Sequence, residues 1–293
     1  MKNVLITGIT SFVAQDIINK LSAEYEIFGI GRRDDYSDDR VIYIQTDISD
    51  RDRLFSNVQA NVNKIETVIH VAAYLGYDEK MAYKINCLGT QNIMDLAKML
   101  GAKTVVLISS IPVIGKIECL PINESHSNMP SNVYHRTKYL SEVICETSLN
   151  QKGIRHVILR IASPVGKGLP DGKIFSEFVK NAKNNKDIEV YGSGYRVQNY
   201  IDTRDVADAV YKAINCDNAK GMYLLNGNSI SDRELAKTVK GRFGSNGNIV
   251  IKGNSLESNE DKWIIDDSKA KNDFSYQSMH NILESIDYVG EGM

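Results

Sequence analysis

Short β-branched runs alternate with longer stretches of helical period through the first half of the chain. That alternation restricts the possible folds more than any other feature. Asn3–Thr7, Glu26–Gly31, Val41–Gln45, Thr67–Val71, Thr104–Ser109 and His156–Arg160 read as strands. Phe12–Ala23, Met81–Leu100 and Val133–Gln151 read as helices. A helix between successive strands implies right-handed crossovers and a parallel sheet. Val105-Val106-Leu107-Ile108 is apolar at every position, which suits strands covered by helices on both faces. The expectation is an α/β protein with a doubly wound parallel sheet.

After about residue 165 the pattern changes. Gly166, Gly168, Gly172, Gly192 and Gly194 punctuate shorter elements, as in a smaller α/β lobe resting on the sheet. The expected division is 1–165 for the main domain and 166–293 for the lobe, with about 200–220 returning to the main domain. A length of 293 residues and an apolar share of 42 % suit that arrangement. The formal charge of -2, without a long basic block, gives little support to nucleic-acid or membrane-surface binding. No apolar stretch approaches the ~18 residues of a membrane span, and the first residues lack a basic leader. A cytoplasmic location is therefore expected. Cys87, Cys119, Cys145 and Cys216 form no C-x-x-C pair and are expected to be reduced and mostly buried.

The first strand runs through Thr7-Gly8-Ile9-Thr10-Ser11-Phe12-Val13-Ala14 into a helix. A strand, a tight turn and a helix N-terminus make a cradle for pyrophosphate, because backbone N–H groups and the helix dipole favour an anion. Gly8 keeps the turn glycine of such loops. Ser11 and Ala14 stand at the second and third glycine positions. Gly8, Thr10, Ser11, Phe12 and Val13 are the expected contacts. The Ser11 Cβ would crowd a phosphate, whereas its hydroxyl could donate to one. The second strand ends at Gly31-Arg32-Arg33, where an acidic residue would bind the ribose of NAD. Gly31 leaves space and the arginines offer charge to a 2′-phosphate, which favours NADP(H) over NAD(H). The other reading is that Asp34 and Asp35 neutralise two solvated arginines.

Tyr134 and Lys138 form a Y-x-x-x-K pair on an expected helix, one element after a strand ending in Ser109-Ser110. The i, i+4 spacing places both on one face. A nearby ammonium is expected to lower the phenol pKa from its usual ~10, so that the pair can exchange a proton with a carbinol oxygen.

With these residues in order, the chain resembles the extended short-chain dehydrogenase/reductases, the NAD-dependent epimerase/dehydratase family. Asp47-Ile48 is similar to its adenine-contacting pair. His70-Val71-Ala72-Ala73 resembles its H-x-A-A signature, and Asn86 with Gly89-Thr90-Gln91-Asn92 its N-x-x-G-T-x-N helix. Ser109-Ser110-Ile111-Pro112-Val113-Ile114-Gly115, Glu124, Pro130, Arg160-Ile161-Ala162-Ser163-Pro164-Val165-Gly166, Val190-Tyr191-Gly192 and Asp205-Val206-Ala207 match later landmarks. The resemblance implies a Rossmann domain with a C-terminal substrate lobe, a nucleotide-sugar substrate and a homodimer formed through a four-helix contact. It makes Tyr134 the acid/base, Lys138 the residue that positions the nicotinamide ribose, and Ser110 the partner of the substrate oxygen. It adds Asp47, Ile48, Val71, Ala72, Ala73, Asn86, Ser109, Ile161 and Ala162 to the cofactor contacts. Ser163, Arg196 and Gln198 join Ser110 towards the substrate. Gln198-Asn199 replaces an arginine–aspartate pair that often meets the pyrophosphate, and Arg196 lies two residues earlier.

Three functions remain open on the sequence. The leading one is an NADPH-dependent reductase of a 4-keto(-6-deoxy)hexose carried on a nucleotide. The second is an NAD-dependent nucleotide-sugar 4-epimerase. The third, of another class, is a non-catalytic dinucleotide-binding regulator, which the retention of Tyr134, Lys138 and Ser110 opposes. Dehydration is disfavoured, because Ile111 and Pro112 occupy the positions of the acid and base that remove water. No metal is expected: His70 reads as a packing residue, and His126 and His135 lack a spaced carboxylate set.

Overall fold

The computed structural model describes residues 2–150, 152–253 and 261–293. Seven strands form one sheet: β1 (Lys2–Thr7), β2 (Tyr25–Gly31), β3 (Val41–Gln45), β4 (Thr67–His70), β5 (Thr104–Ser110), β6 (Arg155–Ile161) and β10 (Gly221–Leu225). Their order is β10-β6-β5-β4-β1-β2-β3, and every pair is parallel. The sheet is thus the parallel one that the alternation implies, and of the Rossmann type that the resemblance implies. The inner strands are buried at their centres, as their unbroken apolar runs require; Val4, Leu5 and Ile6 are 0 % exposed, whereas Ile42 on the edge strand β3 is 42 % exposed.

The helices α1 (Phe12–Leu21), α2 (Arg51–Gln59), α4 (Thr90–Met99), α5 (Val133–Asn150) and α7 (Thr203–Asn215) flank this sheet, with a short α3 (Glu79–Ala82) before α4. The expected end of α5 at Gln151 lies outside the described residues. α1 turns Val13, Ala14, Ile17, Ile18 and Leu21 inward. Its buried Asp16 accepts hydrogen bonds from Thr203 at 2.6 Å and Tyr288 at 2.7 Å, tying α1 to α7 and to the last helix, α10 (Ile282–Glu291).

The stretch expected as one helix over 81–100 is broken. Tyr83–Gly89 is π-helical between α3 and α4. The Asn86 carbonyl accepts the hydroxyls of Thr90 at 2.5 Å and Ser141 at 2.7 Å, so side chains occupy an acceptor that helical N–H groups would otherwise use.

The lobe holds β7 (Ser163–Val165), β9 (Val197–Asp202) and β11 (Asn228–Ser231) in a three-stranded sheet, and β8 (Ile188–Tyr191) beside β12 (Ile249–Lys252). With α6 (Ile174–Lys183) and α8 (Asp232–Phe243) these enclose a separate apolar core around Phe175, Phe178 and Leu235. α9 (Ser268–Phe274) packs beside β10. Trp263 and Tyr276 join the core of the main sheet rather than that of the lobe. The cysteines differ from expectation: only Cys145 is buried, Cys87 and Cys216 are half-buried, and Cys119 is exposed on a loop. No described helix is long and apolar enough to cross a membrane.

Candidate active site

A cleft of about 740 Å³ follows the carboxyl ends of β1 to β6 and reaches the start of α6. It straddles the point where β1 is flanked by β2 on one side and β4 on the other. Open parallel sheets bind ligands at such a switch in strand order.

Gly8 ends β1 with φ +67°, and a Cβ there would stand 2.7 Å from the Ala72 amide nitrogen. Glycine is needed both for the turn and for the approach of β1 to the end of β4. Ser11 caps α1: its hydroxyl oxygen accepts the Ala14 N–H at 3.3 Å and keeps its own proton to donate. Behind the loop, the Ala72 N–H donates to Thr7 Oγ1 at 3.2 Å. Thr7 Oγ1 lies 2.6 Å from His70 Nδ1, and His70 Nε2 lies 3.0 Å from Thr90 Oγ1. The Thr90 proton is spent on Asn86, so the ring proton is assigned to Nε2. Burial pushes the His70 pKa down to about 3. His70 is a neutral pin from β4 to β1 and α4, a packing and hydrogen-bonding residue as its sequence context suggested.

At the far end of the cleft lie Arg32, Asp47 and the buried Ile48. Asp47 Oδ1 accepts the Ser49 N–H at 2.8 Å and the Ser49 hydroxyl at 2.7 Å. The buried Thr46 hydroxyl has no hydrogen-bond partner among the described residues and borders the cleft. The two arginines part company. Arg33 is held bidentately by Asp35 at 2.8 and 2.7 Å and does not line the cleft, whereas Arg32 does, without an ion-pair partner among the described residues. Gly31 does not leave open space. A Cβ there would meet the Tyr43 hydroxyl at 2.8 Å, because the Tyr43 ring crosses from β3 and donates to the Arg33 carbonyl at 2.6 Å.

At the centre, α5 presents Tyr134 and Lys138 to the ends of β5 and β6. Ser110 and Tyr134 both line the cleft there. Lys138 is 3 % exposed and donates to the Ile108 carbonyl at 2.6 Å. The expected lowering of the phenol pKa is not seen. Burial pushes Tyr134 up to about 12, Ser110 opposes that rise, and the Lys138 charge does not lower it. Burial also pushes Lys138 down to about 8, against the attraction of Glu142. The Ser109 hydroxyl donates to Glu142 rather than into the cleft. Asn86 stays behind the wall: it accepts the Tyr74 N–H at 2.6 Å and donates to Tyr74 O at 3.0 Å and to Thr137 Oγ1 at 2.9 Å. Val71, Ala72, Ala73, Ile161 and Ala162 line the wall.

On the lobe side, Gln198 donates to Ser163 Oγ at 2.6 Å. Arg196 lines the cleft and leans on Asp232 at 3.3 Å. Lys173 and the first turn of α6 complete that side. Lys173, His135, Leu75 and Thr46 were not singled out for this site by sequence reasoning. Each lies in a loop or beside a motif residue, where no spacing rule marks it. Gly8, Ser11 and Arg32, with the partnerless Thr46 hydroxyl, fit a dinucleotide stretched from the β1 turn to the β2 end. When bound there, it would be met by the N-terminus of α1 and by Arg32.

A family model described as the NAD dependent epimerase/dehydratase family matches residues 4–225. The chain belongs to that family. It is an NAD(P)-dependent enzyme of the extended short-chain dehydrogenase/reductase type. Among curated relatives, UDP-glucuronic acid decarboxylase 1 of Xenopus tropicalis is 26 % identical, over 85 % of this chain and 62 % of that protein. The dTDP-D-glucose 4,6-dehydratase of Mus musculus is 24 % identical, over 97 % of this chain and 83 % of that protein. A crystal structure of UDP-glucose 4-epimerase with UDP-glucose from Thermotoga maritima superposes with a TM-score of 0.88 at 19 % identity, covering 99 % of this chain and 98 % of that one.

Proposed function

We propose that this family member reduces the keto group of a nucleotide-activated sugar, a 4-keto- or 4-keto-6-deoxyhexose, with NADPH as the preferred reductant. The observation that carries this reading is that Ser110, Tyr134 and Lys138 line one cleft with the Gly8–Ser11 cradle. When bound, the nicotinamide supplies hydride to the carbonyl carbon. Tyr134 protonates the oxygen as it gains charge, and Ser110 holds that oxygen in place. A phenol held at about 12 is protonated at neutral pH, the form a reduction needs. Lys138 keeps a positive charge below it and has N–H donors to spare for a ribose hydroxyl.

The substrate end favours a diphosphate. Arg196, Lys173 and the N-terminus of α6 bring positive charge to one wall, and Gln198 and Ser163 add neutral polar groups for the sugar. Dehydration, the activity of the mouse relative, is disfavoured here: Ile111 is buried and Pro112 has no proton to move. The chain is proposed to act as a homodimer.

The test is Arg32→Ala. If Arg32 pairs with a 2′-phosphate, the variant loses a charge-assisted bond of about 1.5–3 kcal/mol, or roughly 10- to 150-fold in NADPH affinity, and NADH binding is spared. The wild type should purify largely free of dinucleotide and prefer NADPH by calorimetry. Tightly retained NAD, with no NADPH preference to lose, would instead indicate the 4-epimerase, which regenerates its own cofactor.

A further inference from the structure

The face of α5 that carries Tyr134 and Lys138 continues one turn further to Glu142, so the three residues stand at i, i+4 and i+8. Glu142 is 4 % exposed and lies against Arg160, which is 2 % exposed, in a bidentate pair at 2.9 and 2.7 Å. The Ser109 hydroxyl also donates to it. Ser109 and Arg160 are register partners across β5 and β6. One carboxylate therefore clamps the catalytic helix to two adjacent strands, one helical turn beyond the lysine.

We propose that Glu142 is a positioning residue for the reaction: clamped by Arg160 and Ser109, its carboxylate keeps the Lys138 ammonium charged and in place next to Tyr134. The inference rests on the reading of Tyr134 and Lys138 as the reacting pair. The buried lysine needs such a counter-charge. Its one hydrogen bond among the described residues goes to the Ile108 carbonyl, a neutral acceptor. The other titratable groups near it are Cys145 on its own helix, His70 from β4 and Tyr134. Burial keeps the thiol and the phenol uncharged, at about 12 each, and the imidazole uncharged, at about 3. Glu142 is the carboxylate acting on Lys138. Arg160 in turn shares that carboxylate, which limits how strongly it can hold the lysine.

This sharing makes two variants act in opposite directions. Glu142→Gln removes the anion that favours the ammonium, so the lysine should lose its proton at lower pH. Arg160→Met frees the carboxylate for the lysine, which should then hold its proton to higher pH. A purely structural Glu142–Arg160 clamp predicts loss of stability in both variants and no opposed shift. The measurement is NMR titration of the Lys138 ε-methylene in full-length, lysine-labelled protein, assigned with Lys138→Arg. We expect a midpoint about one pH unit lower in Glu142→Gln and higher in Arg160→Met. Unmoved midpoints, or shifts of the same sign, overturn the proposal. If one variant fails to fold, the sign of the other decides alone. No substrate is needed, so a failed search for sugar reduction leaves the result intact.

Discussion

Tyr134 owes its state to position more than to its neighbour four residues on. Packing beneath the cleft removes water from the phenol and raises its pKa, and the Lys138 charge is drawn towards Ile108 and Glu142. The phenol is thus a proton donor in waiting. Tyr134→Phe deletes that proton and keeps the ring, so turnover should fall by about 10²–10⁴-fold. NADPH affinity should hardly change, because the β1 turn and Arg32 are untouched. Steady-state kinetics and fluorescence titration check the two halves; full turnover in the variant would remove Tyr134 from the chemistry. The arginines make a similar point. Their sequence neighbours Asp34 and Asp35 looked equally able to neutralise either one, and only the fold pairs Arg33 with Asp35 and leaves Arg32 on the cleft.

The start of α1 shows how an element absorbs a departure from the glycine pattern. Ser11 replaces a glycine, yet it closes the first turn by accepting the Ala14 N–H. Glycine is nearly as good a cap, so Ser11→Gly should cost only a few tenths of a kcal/mol in stability. The hydroxyl proton, set among N–H groups aimed at the cleft, is a different matter. Its loss should weaken NADPH by about 0.5–1.5 kcal/mol, roughly 2- to 10-fold. Calorimetry that finds tighter binding would mean that the Cβ crowds the phosphate. In the π-helical segment before α4, the Thr90 hydroxyl is local to the Asn86 carbonyl, but it does not act alone. The hydroxyl that helps to hold the Asn86 carbonyl comes from Ser141, on another helix.

For the molecule as a whole, α4 and α5 cover one face of the sheet, and their outer side exposes several apolar side chains. Leu140 and Val143 on α5 are 38 % and 39 % exposed, Met99 on α4 is 39 % exposed, and Leu88 just before α4 is 60 % exposed. Two copies packing these helices together would bury that stripe and leave the cleft free, since Tyr134 and Lys138 face the sheet. The chain should therefore sediment as a dimer, at twice 32.7 kDa. Leu140→Glu with Val143→Glu should yield a monomer that still binds NADPH, because carboxylates in such a seam would be desolvated without partners. A monomeric wild type in sedimentation equilibrium would remove the dimer.

Local pattern was enough for much of this protein. Strand and helix periods are set by which side chains face inward, so the parallel sheet and the limits of β3 can be read along the chain. The turn at Gly8, the Y-x-x-x-K face and the serines ending β5 are equally local, because each depends on residues within a few positions of one another. Tertiary structure decided whatever depended on partners distant in sequence. Tyr43 fills the space over Gly31 only because β3 lies beside β2. Glu142 bears on Lys138 from its own helix, but Arg160 and Ser109 hold it there from two strands. Electrostatic work depends on burial and on through-space neighbours. Which groups are charged, and which proton is free to move, was therefore settled only when helix and sheet closed over them.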